Sequence, residues 1–266
     1  MTIVDGRKIA QVISGEVATQ VSLLAEAPKL TVIACNPNFE TQKYLEMKKA
    51  KAESLGIELS VLVLPKESDT DILVKTVKKS SQTVAGIVVQ LPLPAHIDTA
   101  AVLAAIPVTH DVDAFYYQGS DSSILPPVVG AIDEISKRHD IIWSGKQVVI
   151  FGLGRLVGAP TLQYAKNRGA VVTVITKESE NINDLTKTAD IIILGVGKPN
   201  LLKAEMVKEG VVVFDAGASE DGGLLVGDAS PAVAEKAALF TPVPGGIGPI
   251  TIALLFRNLL KLRVRQ

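Results

Sequence analysis

Tyr44 and Lys48 stand four positions apart in a segment with helical spacing, which places a phenol and an ammonium on one helix face about 6 Å apart. If that face borders a cleft, partial burial lowers the lysine's pKa and suits it to proton transfer near neutrality. Lys49 and Lys51 share the segment, so an ordinary solvated amphipathic face is the other reading. Gln90 ends an apolar run beside Pro92 and Pro94, where a neutral amide can orient a lysine or a substrate. Asp111 and Asp113 flank Val112 and, in extended backbone, point to opposite sides, so one of them can face a cleft. An aspartate accepts paired hydrogen bonds from a heterocycle's ring N–H and amino group, although capping or turn formation is at least as common a use.

A second kind of chemistry is written in glycine. The apolar run from Val148 to Phe151 passes into Gly152-Leu153-Gly154-Arg155-Leu156-Val157-Gly158, and a helical pattern follows at once. In that context Gly152 permits a tight turn, Gly154 lets backbone N–H groups approach a pyrophosphate, and Gly158 lets helix and strand pack closely. The spacing is one residue longer than the usual dinucleotide fingerprint, and a glycine-rich turn without a ligand is the competing reading. Two further turns follow strands, Gly195-Val196-Gly197-Lys198 and Asp215-Ala216-Gly217-Ala218. Small residues there suit a flat cofactor passing the carboxyl edge of a sheet. At the end of the next strand, where NAD sites carry an acid for the ribose hydroxyls, this chain has Thr176-Lys177. A cation there, with Arg155 as a second, favours NADP over NAD, unless both are plain surface charges.

The bulk properties narrow the partners. Lys and Arg number 27 against 28 Asp and Glu, without a basic or acidic block, so neither a nucleic-acid footprint nor a membrane-surface patch is present in the charge. No run reaches the roughly 18 apolar residues of a membrane span, and the start lacks a secretory pattern. The one cysteine, Cys35, reads as a core filler in an apolar strand and fits a reducing cytosol. His96, His110 and His139 lack metal-ligand spacing, so no metal is assigned, and no Ser or Cys sits in a nucleophile turn.

These groups need elements to hold them. Hydrophobic periodicity predicts an amphipathic helix over 7–26, a strand over Lys29–Cys35, a helix over Thr41–Leu55 ending at Gly56, and a strand over Ile57–Leu64. A helix over Asp69–Ser80 and a strand over Val84–Gln90 complete a first α/β lobe. After a helix near Val128–Arg138 the rhythm restarts. Strands over Lys146–Phe151, Val171–Thr176, Ile191–Leu194 and Val211–Phe214 surround a helix over Val157–Arg168, and Ile250–Arg263 is a terminal helix. The expectation is an α/β chain of two lobes around a cleft, an N-terminal substrate lobe and a C-terminal Rossmann-type parallel-sheet cofactor lobe, with a boundary at Gly119–Ser123.

The string Thr241-Pro242-Val243-Pro244-Gly245-Gly246-Ile247-Gly248-Pro249-Ile250-Thr251 closely resembles the signature loop of the methylenetetrahydrofolate dehydrogenase/cyclohydrolase family. Tyr44 with Lys48, Val89 to Pro94, Asp111 to Asp113, Val157 to Pro160, Gly195 to Pro199, and Gly227-Asp228 resemble further motifs of that family, in its order. The resemblance spans essentially the whole chain. It implies oxidation of 5,10-methylenetetrahydrofolate with NADP and hydrolysis of the methenyl product to 10-formyltetrahydrofolate in one shared cleft. It further implies that Lys48 serves the cyclohydrolase step, Tyr44 stacks on the folate, Gln90 positions Lys48 and Asp113 binds the pterin. Pro244, Gly245 and Gly246 join these as substrate contacts. The cofactor set becomes Gly152, Leu153, Gly154, Arg155, Val157, Gly158, Thr176, Lys177, Gly195, Val196, Gly197, Lys198, Asp215, Gly217, Ala218 and Thr251. Residues 1–120 with the helix 249–266 are expected to form the folate lobe and 121–248 the NADP lobe, in a cytoplasmic homodimer joined through the cofactor lobes.

The chain departs from the family pattern in places. Gly154 stands where Ser is usual, and Thr176-Lys177 where His-Ser or His-Arg is usual. The stretch 114–128 is shorter than usual and lacks the Gly-Phe opening and the Thr-Pro step, and two extra residues separate Pro37 from Tyr44. Two alternatives are a dehydrogenase without cyclohydrolase activity, against which Lys48 speaks, and a nucleotide-binding protein without chemistry. Lys177→Ala is expected to weaken NADP binding with little effect on NAD. An unchanged ratio of the two affinities, measured by titration, would remove Lys177 from the site.

Overall fold

The computed structural model describes residues 1–119 and 124–263, the side chains of Phe39 and Glu40 excepted. In chain order the first elements are β1 (Thr2–Ile3), α1 (Gly6–Ser22), β2 (Lys29–Cys35), α2 (Phe39–Ser54), β3 (Glu58–Leu64), α3 (Thr70–Ser80), β4 (Gly86–Val89) and α4 (Thr99–Ala104). Then come α5 (Pro127–Arg138), β5 (Gln147–Phe151), α6 (Gly158–Asn167), β6 (Val171–Ile175), α7 (Ile182–Thr188) and β7 (Ile191–Leu194). The last are β8 (Val212–Asp215), β9 (Ser219–Asp221), β10 (Leu224–Val226), β11 (Leu239–Phe240) and α8 (Ile247–Arg263). The fold is α/β in two compact units, one of Met1–Ala10 with Tyr117–Thr251 and the other of Gln11–Tyr116 with Ile252–Gln266.

The second of these units holds a parallel sheet in the order β3-β2-β4. β2 is apolar almost throughout and buried from Leu30 to Cys35, as a central parallel strand covered on both faces must be, whereas the edge strand β3 leaves Leu62 and Val63 exposed. Ile33, Cys35, Leu73, Val77, Ile87 and Val89 form its core. Asp69 caps α3 by accepting the Ile72 N–H at 2.8 Å, which starts the helix where Leu73 and Val77 fall on the sheet. Gly86 opens β4 because a Cβ there would meet Leu259 of α8 at 2.6 Å and Val112 at 2.7 Å.

The other unit carries six parallel strands in the order β1-β11-β8-β7-β5-β6, with Val149, Phe151, Ile192, Leu194 and Val213 in its core. The chain moves from β5 outward to β6 and returns to place β7 on the other side. That reversal makes a crevice at the carboxyl ends of β5 and β7, where ligands of doubly wound sheets bind. The same reversal occurs at β2, flanked by β3 and β4.

The expected strands and main helices are present, with shifted ends. The opening helix stops at Ser22 rather than at residue 26, since Pro28 fixes extended backbone just before β2. β4 is confined to Gly86–Val89. α4, α7, the hairpin β9–β10 and the two-residue strands β1 and β11 escape periodicity because they are too short to show it. Of the expected boundary, Gly119 adopts φ +83°, and 120–123 lie outside the described residues.

Candidate active site and cofactor cradle

α2 begins earlier than its apolar spacing indicates because Asn38 caps it, Oδ1 accepting the Thr41 N–H at 2.8 Å. From that start Thr41, Leu45 and Ala52 are buried, Lys48 is half-buried at the margin of their face, and Tyr44 is 38% exposed. Lys49 is exposed. The solvated-face reading therefore describes Lys49 and not Lys48. The Lys48 ammonium donates to Gln90 Oε1 at 2.8 Å, and Gln90 Nε2 donates to the Leu91 carbonyl at 2.9 Å. That second bond decides which end of the amide meets the cation. The Gln90 N–H extends the ladder beyond β4 to the Ile33 carbonyl, so the pair sits at the carboxyl ends of β2 and β4.

Burial holds the Lys48 pKa below the ordinary lysine value, and the charge of Asp113 opposes that fall. Asp113 mirrors it, with burial pushing its carboxyl up and Lys48 pulling it down. At both groups burial and mutual attraction thus oppose each other, and burial is the larger influence. Asp111 is buried at 1% exposure, and its Oδ2 accepts the Phe115 N–H at 2.6 Å. Burial, and then the charge of Asp113, raise its pKa to about 7. Val112 separates the pair, one aspartate serving the local backbone and the other interacting with Lys48.

The cofactor residues belong to the other unit. Gly152 has φ +72°, and a Cβ there would also meet Val196 at 2.7 Å. A Cβ on Gly158 would overlap the Gly152 carbonyl oxygen, so α6 starts against the turn that precedes it. A Cβ on Gly195 would meet the Val157 side chain at 2.5 Å, while one on Gly154 would reach only the Gly195 carbonyl oxygen at 3.9 Å. Leu153, Leu156 and Val196 leave large apolar side chains exposed at this edge. Backbone bared by glycine and flanked by unburied apolar groups fits a dinucleotide with a phosphate-bearing middle and flat ends. Thr176, Lys177 and Arg155 are exposed, and the Thr176 hydroxyl bonds Glu178 Oε2 at 2.6 Å, an acid beside the expected cation.

Two buried carboxylates hold the cradle together: Asp215 is among the expected cofactor residues, and Asp228 enters the sequence reading only through the Gly227-Asp228 motif. Asp215 accepts from the N–H groups of Gly217, Asp228 and Ala229 at 2.9, 3.2 and 2.8 Å. Its own N–H is joined to Thr241 Oγ1 at 2.7 Å. Burial raises its pKa to about 6 against these bonds. Asp228, fully buried, accepts from Val196 at 2.7 Å, Gly197 at 3.2 Å and Lys198 at 2.7 Å, fixing the turn after β7. A Cβ on Gly217 would overlap the Asp228 carboxylate, and one on Gly227 would overlap Asp215. Those glycines serve the carboxylate packing, while Ala218 is exposed. Asp228 acts across about thirty residues of sequence, so its role leaves no local signal beyond the Gly-Asp pair.

The proline–glycine loop is anchored in the same unit. Gly245, at φ +106°, accepts the Gly6 N–H at 2.9 Å, and Gly246 donates to Pro242 at 2.7 Å. Pro244 is exposed, and the Thr251 hydroxyl is turned back onto the Gly248 carbonyl at 2.7 Å.

Asp228→Asn offers one acceptor oxygen where three N–H groups converge, and each stranded buried donor costs about 1–3 kcal/mol. The expected result is a lower melting temperature together with weaker NADP binding by calorimetry. Asp111 titrates with a raised pKa in the folded state, near 7 against 3.8. It therefore holds a proton that the unfolded chain releases, and its contribution to stability falls as pH rises from about 4 to about 7. Melting curves across that range should show wild type losing stability relative to Asp111→Asn, with no further change above it.

Residues 4–113 match the model for the catalytic domain of tetrahydrofolate dehydrogenase/cyclohydrolase, and residues 126–266 match that for its NAD(P)-binding domain. The bifunctional protein FolD of Ligilactobacillus salivarius is 38% identical over 278 residues, covering 100% of this chain and 98% of that protein. The crystal structure of the bifunctional methylenetetrahydrofolate dehydrogenase/cyclohydrolase from Campylobacter jejuni has a TM-score of 0.95 at 34% identity, covering 100% of this chain and 99% of that one. The Trypanosoma brucei enzyme, solved with NADP and an inhibitor, has a TM-score of 0.92 at 31% identity, covering 99% and 97%. Full-length similarity at this level, with the Lys48–Gln90 pair and the glycine cradle in place, shows that the chain belongs to the tetrahydrofolate dehydrogenase/cyclohydrolase family.

Proposed function

We propose that the protein oxidises 5,10-methylenetetrahydrofolate to the 5,10-methenyl form with NADP and hydrolyses that product to 10-formyltetrahydrofolate. The observation that carries the second half is the half-buried Lys48 ammonium, 2.8 Å from Gln90 Oε1 and under the electrostatic influence of Asp113. The methenyl carbon is already electrophilic, so water needs placement and proton removal more than a covalent nucleophile. A lysine with a depressed pKa can take that proton and return it to the departing ring nitrogen. Gln90 holds Lys48, Tyr44 offers an exposed ring for the folate to stack on, and Asp113 binds the pterin through paired hydrogen bonds.

NADP, when bound, supplies the hydride acceptor. The chain's contribution to that step is alignment. The turn from Gly152 to Gly158 presents backbone N–H groups to the phosphates, Gly195–Lys198 and Gly217–Ala218 border the dinucleotide, and Thr176, Lys177 and Arg155 select the ribose phosphate. Pro244, Gly245 and Gly246 contact the folate and Thr251 the cofactor. In this reading residues 1–120 with 249–266 make the folate lobe, save Met1–Ala10, which belong to the compact unit of Tyr117–Thr251, and residues 121–248 make the NADP lobe. The protein works as a cytoplasmic homodimer joined through its cofactor lobes. Among the described residues no helix is long and apolar enough to cross a membrane.

Lys48→Met should retain part of the dehydrogenase activity and lose the cyclohydrolase activity. Following the methenyl absorbance after mixing enzyme, methylenetetrahydrofolate and NADP separates the steps, because the variant should accumulate the intermediate. Equal loss or equal retention of both activities would contradict the role of Lys48.

A further inference from the structure

The short turn that carries Asp113 is held by groups that neither reaction uses. Ala114 has φ +53°, a left-handed conformation that costs a residue with a Cβ about 1–2 kcal/mol. The family pattern has glycine there, and this chain adopts that conformation with alanine. Val112 and Ala114 are buried, so the peptide groups of the turn need partners inside the protein.

Those partners come from two places. Asp111 Oδ2 accepts the Phe115 N–H at 2.6 Å, and the Asp111 carbonyl accepts the Ala114 N–H at 3.2 Å. From α8, Asn258 Nδ2 donates to the Val112 carbonyl at 2.9 Å across 146 residues of sequence. Asp111 and Asn258 are 1% and 4% exposed. Asp111 also forms a parallel bridge with Ile87 of β4. Asp111 Oδ1 is buried with no hydrogen-bond partner, an arrangement that costs free energy. A carboxylate kept there despite that cost does something a neutral apolar side chain would not do, and the short bond from Phe115 identifies it as closing the turn.

We propose that Asp111 and Asn258 are positioning residues. One from within the turn and one from α8, they fix its backbone and so set where Asp113 stands relative to Lys48. The inference deepens the folate reading and rests on it for the roles of Asp113 and Lys48. Neither residue touches substrate in this account, so each acts through Asp113.

The test compares wild type with Asp111→Asn and with Asn258→Leu, which keeps the volume and removes the donor. Each variant should raise the KM for methylenetetrahydrofolate by about five- to tenfold, the worth of a hydrogen bond, while the KM for NADP stays unchanged. A role in folding alone would lower the melting temperature without splitting the two KM values. An unchanged folate KM in both variants, or a rise of both KM values together, would overturn the proposal. A readout free of substrate accompanies this, the titration of the Lys48 13Cε signal in labelled protein, assigned by its loss in Lys48→Met. Asn258→Leu removes no charge, so displacement of Asp113 should move the Lys48 titration to lower pH, and an unmoved titration would overturn the clamp. Asn258→Ser takes its place if the leucine variant does not fold. Should wild type turn over no folate, the proposed function fails, and the Lys48 titration still decides whether the turn is held as described.

Discussion

Parallel strands can be joined only by crossovers, so every strand of such a sheet ends on the same edge, and wherever the strand order reverses that edge opens into a crevice. Both units obey this constraint. In one, β2 is flanked by β3 and β4, and the Lys48–Gln90 pair stands at the ends of β2 and β4. In the other, β5 is flanked by β6 and β7, and the turns at Gly152 and Gly195 leave the same edge. The residues that bear chemistry are thus gathered by topology, with their local sequences providing only the right side chain at the right strand end.

Gathering is not enough, since turns at a sheet edge are the least constrained part of such a fold. Here they are fixed by carboxylates withdrawn from water. Asp228 collects three successive N–H groups of the turn after β7, Asp215 collects three from the turns around it, and Asp111 closes the turn bearing Asp113. Burying an anion is unfavourable, and the raised pKa values of Asp111 and Asp215 record that cost. Short charge-assisted bonds from backbone amides offset it and convert flexible loops into defined surfaces. Glycines at 217 and 227 exist to make room for those carboxylates.

The pair of Lys48 and Asp113 uses the same opposition differently. Desolvation drives both toward their neutral forms, and their mutual attraction drives both toward ions. The outcome is a lysine whose pKa lies below the ordinary value, because burial outweighs the attraction of Asp113.

Much of this was legible in the residues. Apolar runs at Lys29–Cys35, Val148–Phe151 and Ile191–Leu194 announced parallel strands because a strand covered on both faces has no alternation to hide it. The glycines after β5 and the four-residue step from Tyr44 to Lys48 carried their geometry in their spacing. Pairwise position across the sequence was not legible. Nothing near Asn258 points to Val112, nor anything near Asp228 to the turn at Val196, and the half-burial that separates Lys48 from Lys49 depends on what α2 packs against. Local sequence determines strands, helices and the conformations a turn can adopt, because those follow from a residue and its near neighbours. Only the tertiary structure decides which groups lose their water and which partner replaces it, because hydration and Coulomb energy depend on every chain segment that arrives at the same place.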